Sequence, residues 1–293
     1  MNMTALLIGL GPLIGWGLYP TITTKIGGKP VNQLLGSSIG TLIFALVLAQ
    51  VKGLSLPMGT DLLLGILSGA GWASAQIFTF KSFGLVGSSR AMPITTAFQL
   101  VAASLWGVLV LGNWPGATAK LIGTLALVLI IIGASMTVWS EKKDAGDASK
   151  LKKAVLLLAV GEIGYLTYSA APQASRLTGM DAFLPQAIGM MIIATGYSFV
   201  KSSKETWAFK EAVSYKHIIS GFFFAFAALT YLISAQPDMN GLATGFILSQ
   251  TSVVLATLTG IWFLGQQKSK KEMRVTLVGL ALILIAATMT VLI

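Results

Sequence analysis

Two apolar stretches decide the fold of this chain: LALVLIIIGASMTV at residues 125–138 and VGLALILIAATMTV at residues 278–291. The second repeats the first at a distance of 153 residues, and eight of the fourteen positions are identical. Each belongs to an apolar run of about 20 residues, which is long enough to cross a bilayer as a helix. Duplicated membrane segments are typical of transporters built from two related halves, and the repeat favours that architecture here.

The composition of the 293 residues indicates a membrane protein throughout. Hydrophobic residues make up 55% and charged residues 10%, with a mean hydropathy of +0.80, whereas soluble domains carry roughly 25% charged residues. The net charge of +10 comes from lysines and arginines between apolar runs, which indicates loops rather than a nucleic-acid partner. Because the chain lacks cysteine, disulfides and thiolate metal sites are excluded. We expect an all-α polytopic protein of the cell membrane.

The apolar runs predict ten transmembrane helices. They cover residues 3–21, 31–51, 61–80, 92–111, 120–139, 153–172, 182–200, 216–235, 241–263 and 274–293. A charged segment, 141–152, separates five helices from five, so residues 1–140 and 153–293 are predicted to be two repeats joined by a cytoplasmic linker. Because five is odd, the second repeat enters the membrane from the opposite side, and the two five-helix repeats are inverted.

Further repeat matches lie outside the last helices. Gln33 matches Gln186 at the same offset of 153, and Gly15 matches Gly164 at an offset of 149. Since Gln33 and Gln186 begin helices that enter from opposite faces, they suit gating better than central binding. Pro12, near Gly9 and Gly11, is expected to unwind or bend the first helix.

The distribution of basic residues predicts the orientation. The loops after the odd-numbered helices hold 17 of the 20 lysines and arginines. The positive-inside rule therefore places these loops in the cytoplasm and both termini outside. His217, the single histidine, is interpreted as a solvated residue at a cytoplasmic helix end.

Glu162 is the one acidic residue of ten that lies deep inside a predicted helix. It sits roughly 12 Å from the start of the sixth span, at a rise of 1.5 Å per residue. A carboxyl group at that depth is costly to ionise, so it is a functional-site hypothesis by default. We predict that Glu162 binds and releases a proton during transport; a neutral, structural glutamic acid is the alternative.

Amide, hydroxyl and aromatic side chains on several spans predict a cavity for a polyhydroxylated neutral ligand. Tyr165, Ser169 and Gln173 follow Glu162 at helical spacing. Amides and hydroxyls both donate and accept hydrogen bonds, and indole or phenol rings can pack against the C–H faces of a sugar. The candidate substrate contacts are Trp16, Trp72, Gln76, Gln99, Tyr165 and Gln250.

Other classes of function fit less well. An intramembrane enzyme needs a catalytic pair or clustered metal ligands, and a single buried acid supplies neither. The chain has no nucleotide-binding motif and no filter-like sequence of a channel. We therefore expect no enzyme activity, no metal, no nucleotide and no cofactor beyond the proton as coupling ion. The GxxxG pairs favour packing within one chain, hence a monomer or weak oligomer.

Four long segments resemble the glucose/ribose porter family of the drug/metabolite transporter superfamily. They are ALLIGLGPLIGWGLYPTITTKIGGKPVNQ (5–33), GSSRAMPITTAFQ (87–99), GEIGYLTYSAAPQA (161–174) and LISAQPDMNGLATGFILSQTSVVLATLTG (232–260). The resemblance covers essentially the whole chain. It implies ten helices in two inverted repeats, and a central cavity lined by the first, third, fourth, sixth, eighth and ninth spans.

The same resemblance implies sugar uptake. The predicted function is secondary active import of a monosaccharide, ribose first and glucose second, by proton symport with alternating access. A drug or metabolite exporter of the same superfamily is the alternative, because it would share the buried glutamate and an aromatic cavity.

Overall fold

A computed structural model describes residues 3–110, 112, 114, 116–141, 145–177, 179–201, 207–234, 239–240, 245 and 248–291, without the side chains of residues 145, 290 and 291. Within these ranges the regular secondary structure is helical. The α-helices are α1 Met3–Gly9, α2 Gly11–Ile26, α3 Pro30–Lys52, α4 Gly59–Val86, α5 Ser88–Leu109, α6 Gly116–Val138, α7 Ala145–Ala170, α8 Phe183–Val200, α9 Ala212–Lys216, α10 Ile218–Ser234, α11 Ser252–Phe263 and α12 Lys270–Val291.

The described helices confirm a polytopic, all-helical membrane protein. In the described ranges, nine helical segments are long and apolar enough to cross a membrane, and a shorter apolar helix covers Leu248–Phe263. That shorter helix lies in the predicted ninth span, 241–263, of which residues 241–244 and 246–247 fall outside the described part. The helices also extend past several predicted ends, because polar residues at the membrane boundary continue the helical hydrogen bonding. Helix α7, for example, begins at Ala145 instead of residue 153.

The first predicted span is two helices. Helix α1 ends at Gly9, and α2 begins at Gly11 with Pro12 in its first turn. A proline in the first turn of a helix leaves no hydrogen bond unmade, because the N–H groups there have no helical partner. The break at Leu10 therefore agrees with the expected effect of Pro12.

Most helices pack in pairs through the interior. Helix α4 packs along α7 and α8, and α10 packs along α2 and α3. Helix α6 packs along α12, α2 along α11, α5 along both α7 and α11, and α3 along α8. This arrangement buries one face of each helix and turns apolar residues such as Leu121, Ile131 and Ile285 outward, as a lipid environment requires.

Glycines allow the closest of these contacts. A methyl group on Gly69 of α4 would overlap the Gln186 carbonyl oxygen of α8, and one on Gly189 of α8 would overlap the Ile66 carbonyl oxygen of α4. Lipid gives little hydrophobic drive for helix association, so small residues and tight van der Waals contact dominate. The α4–α8 contact is therefore made backbone to backbone.

The interpretation of His217 as a solvated residue is wrong. His217 is fully buried, with Nε2 2.9 Å from the Gly27 carbonyl oxygen and Nδ1 3.3 Å from the Ser220 hydroxyl. The short helix α9 brings the start of α10 against α3, where Gly36 leaves room for the His217 side chain. Sequence position near a helix end could not reveal this packing.

A glycine-to-alanine substitution tests the α4–α8 contact. Gly189→Ala should lower the free energy of unfolding by roughly 1–3 kcal/mol, because the added methyl forces the two backbones apart. Gly196→Ala in the same helix is the matched control, since nothing lies within 4 Å of its added methyl group. Thermal unfolding of the two purified variants in detergent would measure the difference; equal melting temperatures would contradict the contact.

Candidate functional site

Helical stripes on six spans line one interior cavity of about 100 Å³. In α2, α4, α5 and α7 the lining residues follow helical spacings of three, four and seven, which places them on one face of each helix. The lining residues are Trp16, Tyr19 and Pro20 of α2; Trp72, Gln76, Thr79 and Phe83 of α4; Met92, Thr95, Thr96 and Gln99 of α5; Tyr165 and Tyr168 of α7; Phe224 of α10; and Ser249, Gln250 and Ser252 at α11. These six spans are the ones expected to line a central cavity.

Aromatic rings form one wall of the cavity. The rings of Trp72 and Phe224 lie 4.1 Å apart, and Tyr19 lies 6.0 Å from Phe224 and 6.4 Å from Trp72. Trp16 extends this wall, with its ring centroid 6.3 Å from that of Phe224. Aromatic rings at these distances pack against one another, and together they present a rigid apolar surface to a ligand.

A buried hydrogen-bond chain joins α7 to α4 beside that wall. The Tyr165 hydroxyl donates to Gln76 Oε1 at 2.7 Å and lies 2.9 Å from the Thr79 hydroxyl. All three side chains are buried. The chain fixes the Gln76 amide, so that its N–H₂ group is oriented for a further acceptor.

Two further amides are held only by long contacts. Gln99 Nε2 lies 3.4 Å from the Thr95 hydroxyl, and Gln250 Nε2 lies 3.3 Å from the Ser249 hydroxyl. Hydrogen bonds of this length are weak. Gln99 and Gln250 can therefore turn toward a ligand at low cost.

The structure brings together all six predicted substrate contacts. Trp16, Trp72, Gln76, Gln99, Tyr165 and Gln250 each line the cavity, although they come from five different spans. Their roles in binding stay predictions. Ser169 and Gln173, which continue the polar stripe of α7, are exposed and lie outside the cavity.

The two predicted gating residues lie away from the cavity. Gln33 is 7% exposed, and its amide nitrogen lies 3.4 Å from the Gly27 carbonyl oxygen at the start of α3. Gln186 is 4% exposed and donates to the Ser68 hydroxyl at 3.1 Å, near the start of α8. Each amide therefore ties a helix start to a neighbouring segment.

Glu162 lies one helical turn before Tyr165 on α7 but is not a lining residue of the cavity. Its Oε2 atom is buried without a hydrogen-bond partner among the described residues. Burial of a carboxyl oxygen without a partner favours the protonated group, because no hydrogen bond to that oxygen would compensate the negative charge of the ionised group. Proton coupling by Glu162 stays a prediction.

Several lining residues were not singled out by the sequence analysis, and helical spacing could have found them. Tyr19 follows Trp16 by three residues, and Thr79 follows Gln76 by three. Tyr168 follows Tyr165 in the same way. Phe224 gives no such signal, because it stands in the phenylalanine-rich run 222–226 and is the one residue that α10 contributes to the described lining.

Comparisons with known proteins give a consistent result. The family described as "Sugar transport protein" matches residues 7–293. A protein of Enterococcus faecalis is 72% identical over 100% of both chains, one of Lactiplantibacillus plantarum is 71% identical over 99% of both, and one of Staphylococcus epidermidis is 67% identical over 99% of both. All three carry the name "Putative ribose uptake protein RbsU".

A solved crystal structure shares the fold at low sequence identity. It superposes with a TM-score of 0.66 over 99% of each chain, at 14% identity. The likeness concerns the path of the backbone alone.

Removal of one hydroxyl tests the chain between α7 and α4. Tyr165→Phe leaves the buried Gln76 oxygen without its donor, which should lower the free energy of unfolding by roughly 1–3 kcal/mol. Tyr215→Phe is the matched control: its hydroxyl donates to Phe209 O but is exposed, so water can replace the bond. Chemical denaturation of both variants would measure the difference, and similar losses would argue against a special role for the buried chain.

Proposed function

Because this chain belongs to the sugar transport protein family, we propose that it imports a monosaccharide by secondary active transport, with ribose as first and glucose as second substrate. The names of its close relatives in three Gram-positive bacteria favour ribose. We further propose that import is coupled to protons and proceeds by alternating access.

The chemistry of the cavity carries this proposal. Its described lining contains amides, hydroxyls and aromatic rings and no charged side chain. A neutral polyol satisfies such groups because every hydroxyl can both donate and accept. The aromatic wall of Trp72 and Phe224 supplies the flat apolar surface on which the C–H face of a sugar ring packs.

The size of the cavity argues against a drug exporter. About 100 Å³ is well below the ~300–1,000 Å³ of pockets that hold drug-sized ligands. A cationic drug would also need a carboxylate to balance its charge, and Glu162 does not line the cavity. A small neutral ligand fits both observations.

Alternating access would rest on two inverted repeats, residues 1–140 and 153–293. In span order, α2 to α6 correspond to α7, α8, α10, α11 and α12. When each helix is replaced by its counterpart, the packed pair α4–α7 becomes α10–α2, α4–α8 becomes α10–α3, and α5–α7 becomes α11–α2, and all of these pairs are observed. The pairs α3–α8, α5–α11 and α6–α12 each convert into themselves. The pairing of helices thus supports a two-fold relation between the halves, as in transporters whose halves rock against each other.

Individual glycine contacts support the same relation. A methyl group on Gly15 would lie 2.6 Å from the Phe223 carbonyl oxygen, and one on Gly164 would lie 2.4 Å from the Gly71 carbonyl oxygen. Gly164 corresponds to Gly15 at a shift of 149 residues, and Phe223 corresponds to Gly71 at a shift of 152. Each of these contacts between the halves therefore corresponds to the other when the halves are exchanged.

The glycine contacts also change the offset at which the second span aligns with the seventh. Gly40 approaches the Ile218 carbonyl oxygen in the same way as Gly189 approaches the Ile66 carbonyl oxygen. Gly40 and Gly189 are therefore counterparts, at a shift of 149 residues. The same shift makes Ser37, rather than Gln33, the counterpart of Gln186. Gln33 and Gln186 would then act as independent gates, each holding a helix start in place until the halves move.

Proton coupling is assigned to Glu162. Its buried Oε2 atom lies on the helix that carries Tyr165 into the cavity. A change in its charge would alter the packing of α7, and through Tyr165 the hydrogen-bond chain to Gln76. The proton and the sugar would thus act on the same helix.

Uptake of labelled ribose into proteoliposomes tests the function itself. With an inward proton gradient, we expect accumulation that unlabelled ribose abolishes and that unlabelled glucose reduces less strongly. Efflux of a cationic dye from the same vesicles should stay at the level of empty liposomes. Dye efflux without ribose uptake would support the exporter instead.

Substitution of the buried acid tests the coupling. Glu162→Gln should abolish accumulation driven by a pH gradient and leave exchange of labelled for unlabelled sugar intact, since the neutral amide copies the protonated carboxyl group. Asp181→Asn is a control that removes a carboxylate from an exposed position. Normal accumulation in the Glu162 variant would exclude this residue as the proton site.

A reporter fused to the C-terminus tests the orientation. The lysine-rich loops, with 17 of 20 basic residues, are predicted to be cytoplasmic and both termini to be outside. A C-terminal alkaline phosphatase should therefore be active, while a green fluorescent protein at the same position should stay dark. The opposite result would reverse the membrane orientation and leave the cavity argument unchanged.

A further inference from the structure

A second cleft, of about 360 Å³, lies at the end of the helices that carries the lysine-rich loops. It shares no residue with the interior cavity. The start of α3, the ends of α4 and α8 and the turn before α9 form it. Its lining residues are Lys29, Pro30, Val31, Lys81, Tyr197, Lys201, Ala208 and Glu211.

Three lysines line this cleft, and none of them forms an ion pair among the described residues. In the part of the chain that the structure describes, the ion pairs join Arg90 to Asp147 and Lys271 to Glu141, so Lys29, Lys81 and Lys201 take part in none. Lys81 Nζ lies 6.0 Å from the centre of the Tyr197 ring, which orients it at the cleft wall. The cleft therefore carries an excess of positive charge.

The one acidic residue of the lining is engaged elsewhere. Glu211 Oε2 accepts a hydrogen bond from the Asn32 side chain, which ties the turn before α9 to the first turn of α3. This contact uses part of the carboxylate to hold the cleft together. The lining keeps a net charge of two positive units.

The start of α3 adds a further anion-binding element. Pro30 and Val31 occupy the first turn of this 23-residue helix, and both line the cleft. The N-terminus of a helix carries partial positive charge, which favours phosphate oxygens. Pro30 has no N–H, and the N–H groups of Asn32 and Gln33 donate to the Lys29 carbonyl oxygen, so α3 contributes its dipole rather than a set of free donors. The lysines and the helix start thus present positive potential to the same space.

We propose that this cleft binds a phosphate group, either a phospholipid headgroup at the membrane surface or a soluble phosphate. Phosphate offers several acceptor oxygens, which three lysines can share. Lys29 and Lys81 belong to residues 1–140 and Lys201 to residues 153–293, so one bound phosphate joins the two parts of the chain at this face. Binding then stabilises the arrangement in which the three lysines are close. The site is independent of the proposed sugar transport.

Thermal unfolding of the full chain in lipid nanodiscs tests the site. Two arms of the experiment separate the sources of phosphate. The first uses nanodiscs of phosphatidylcholine with added phosphatidylglycerol. The second uses nanodiscs of phosphatidylcholine alone and compares added inorganic phosphate with chloride at equal ionic strength. A ligand that binds the folded protein raises the melting temperature. A rise in the first arm alone identifies the lipid headgroup, and a rise in the second identifies soluble phosphate.

Lysine variants locate the effect. The Lys29→Gln/Lys81→Gln/Lys201→Gln variant should bind about 100-fold more weakly, at about fivefold for each lysine near a charged surface. The control Lys150→Gln/Lys152→Gln/Lys270→Gln removes the same charge from exposed positions and should respond as the unmodified protein does. Since Lys81 packs on a ring, Lys29→Gln/Lys201→Gln serves as a milder variant, expected to bind about 25-fold more weakly. No rise in either arm, or equal losses in the cleft and control variants, overturns the proposal.

Discussion

Close contact between helix backbones at glycine is the interaction on which the rest of this structure depends. Within a bilayer, apolar side chains gain little by leaving lipid for protein, so helices associate through tight packing of small residues. Gly71 of α4 and Gly164 of α7 approach each other backbone to backbone, and Gly15 of α2 approaches the Phe223 carbonyl oxygen of α10. Larger residues at these positions would separate the helices.

Each of these contacts stands next to a residue of the cavity. Trp72 follows Gly71, Tyr165 follows Gly164, Trp16 follows Gly15 and Phe224 follows Phe223, and all four line the cavity. The glycine contacts therefore bring the four helices close enough for their neighbouring aromatic side chains to share one small space. Packing and site formation have the same physical cause.

The proposed two-fold relation extends to the aromatic residues of the cavity but not to the polar residues beside them. Trp72 and Phe224 correspond at the shift of 152 residues and have ring centroids 4.1 Å apart, while Trp16 corresponds to Tyr165 at the shift of 149. Gln76, which accepts from Tyr165, corresponds to Ala228, and Glu162 corresponds to Leu13. The aromatic wall is thus shared by both halves, whereas exchange of the halves gives no counterpart to the Tyr165–Gln76 hydrogen bond or to the buried acid. In the proposed mechanism, this asymmetry would let one helix, α7, respond to a proton.

The sequence by itself determined the membrane class, the approximate positions of the helices and the polar and aromatic residues that could form a site. Apolar runs of bilayer length permit no other structure, because each backbone group in lipid must be hydrogen-bonded within a helix. Helical spacing also places Trp72, Gln76 and Thr79 on one face of α4. The tertiary structure alone decided which faces meet. It buried His217, assigned Phe224 to the cavity, left Glu162 outside its lining and collected three lysines from distant segments. These outcomes depend on distances between helices, which glycine contacts set across the fold and which no local pattern encodes.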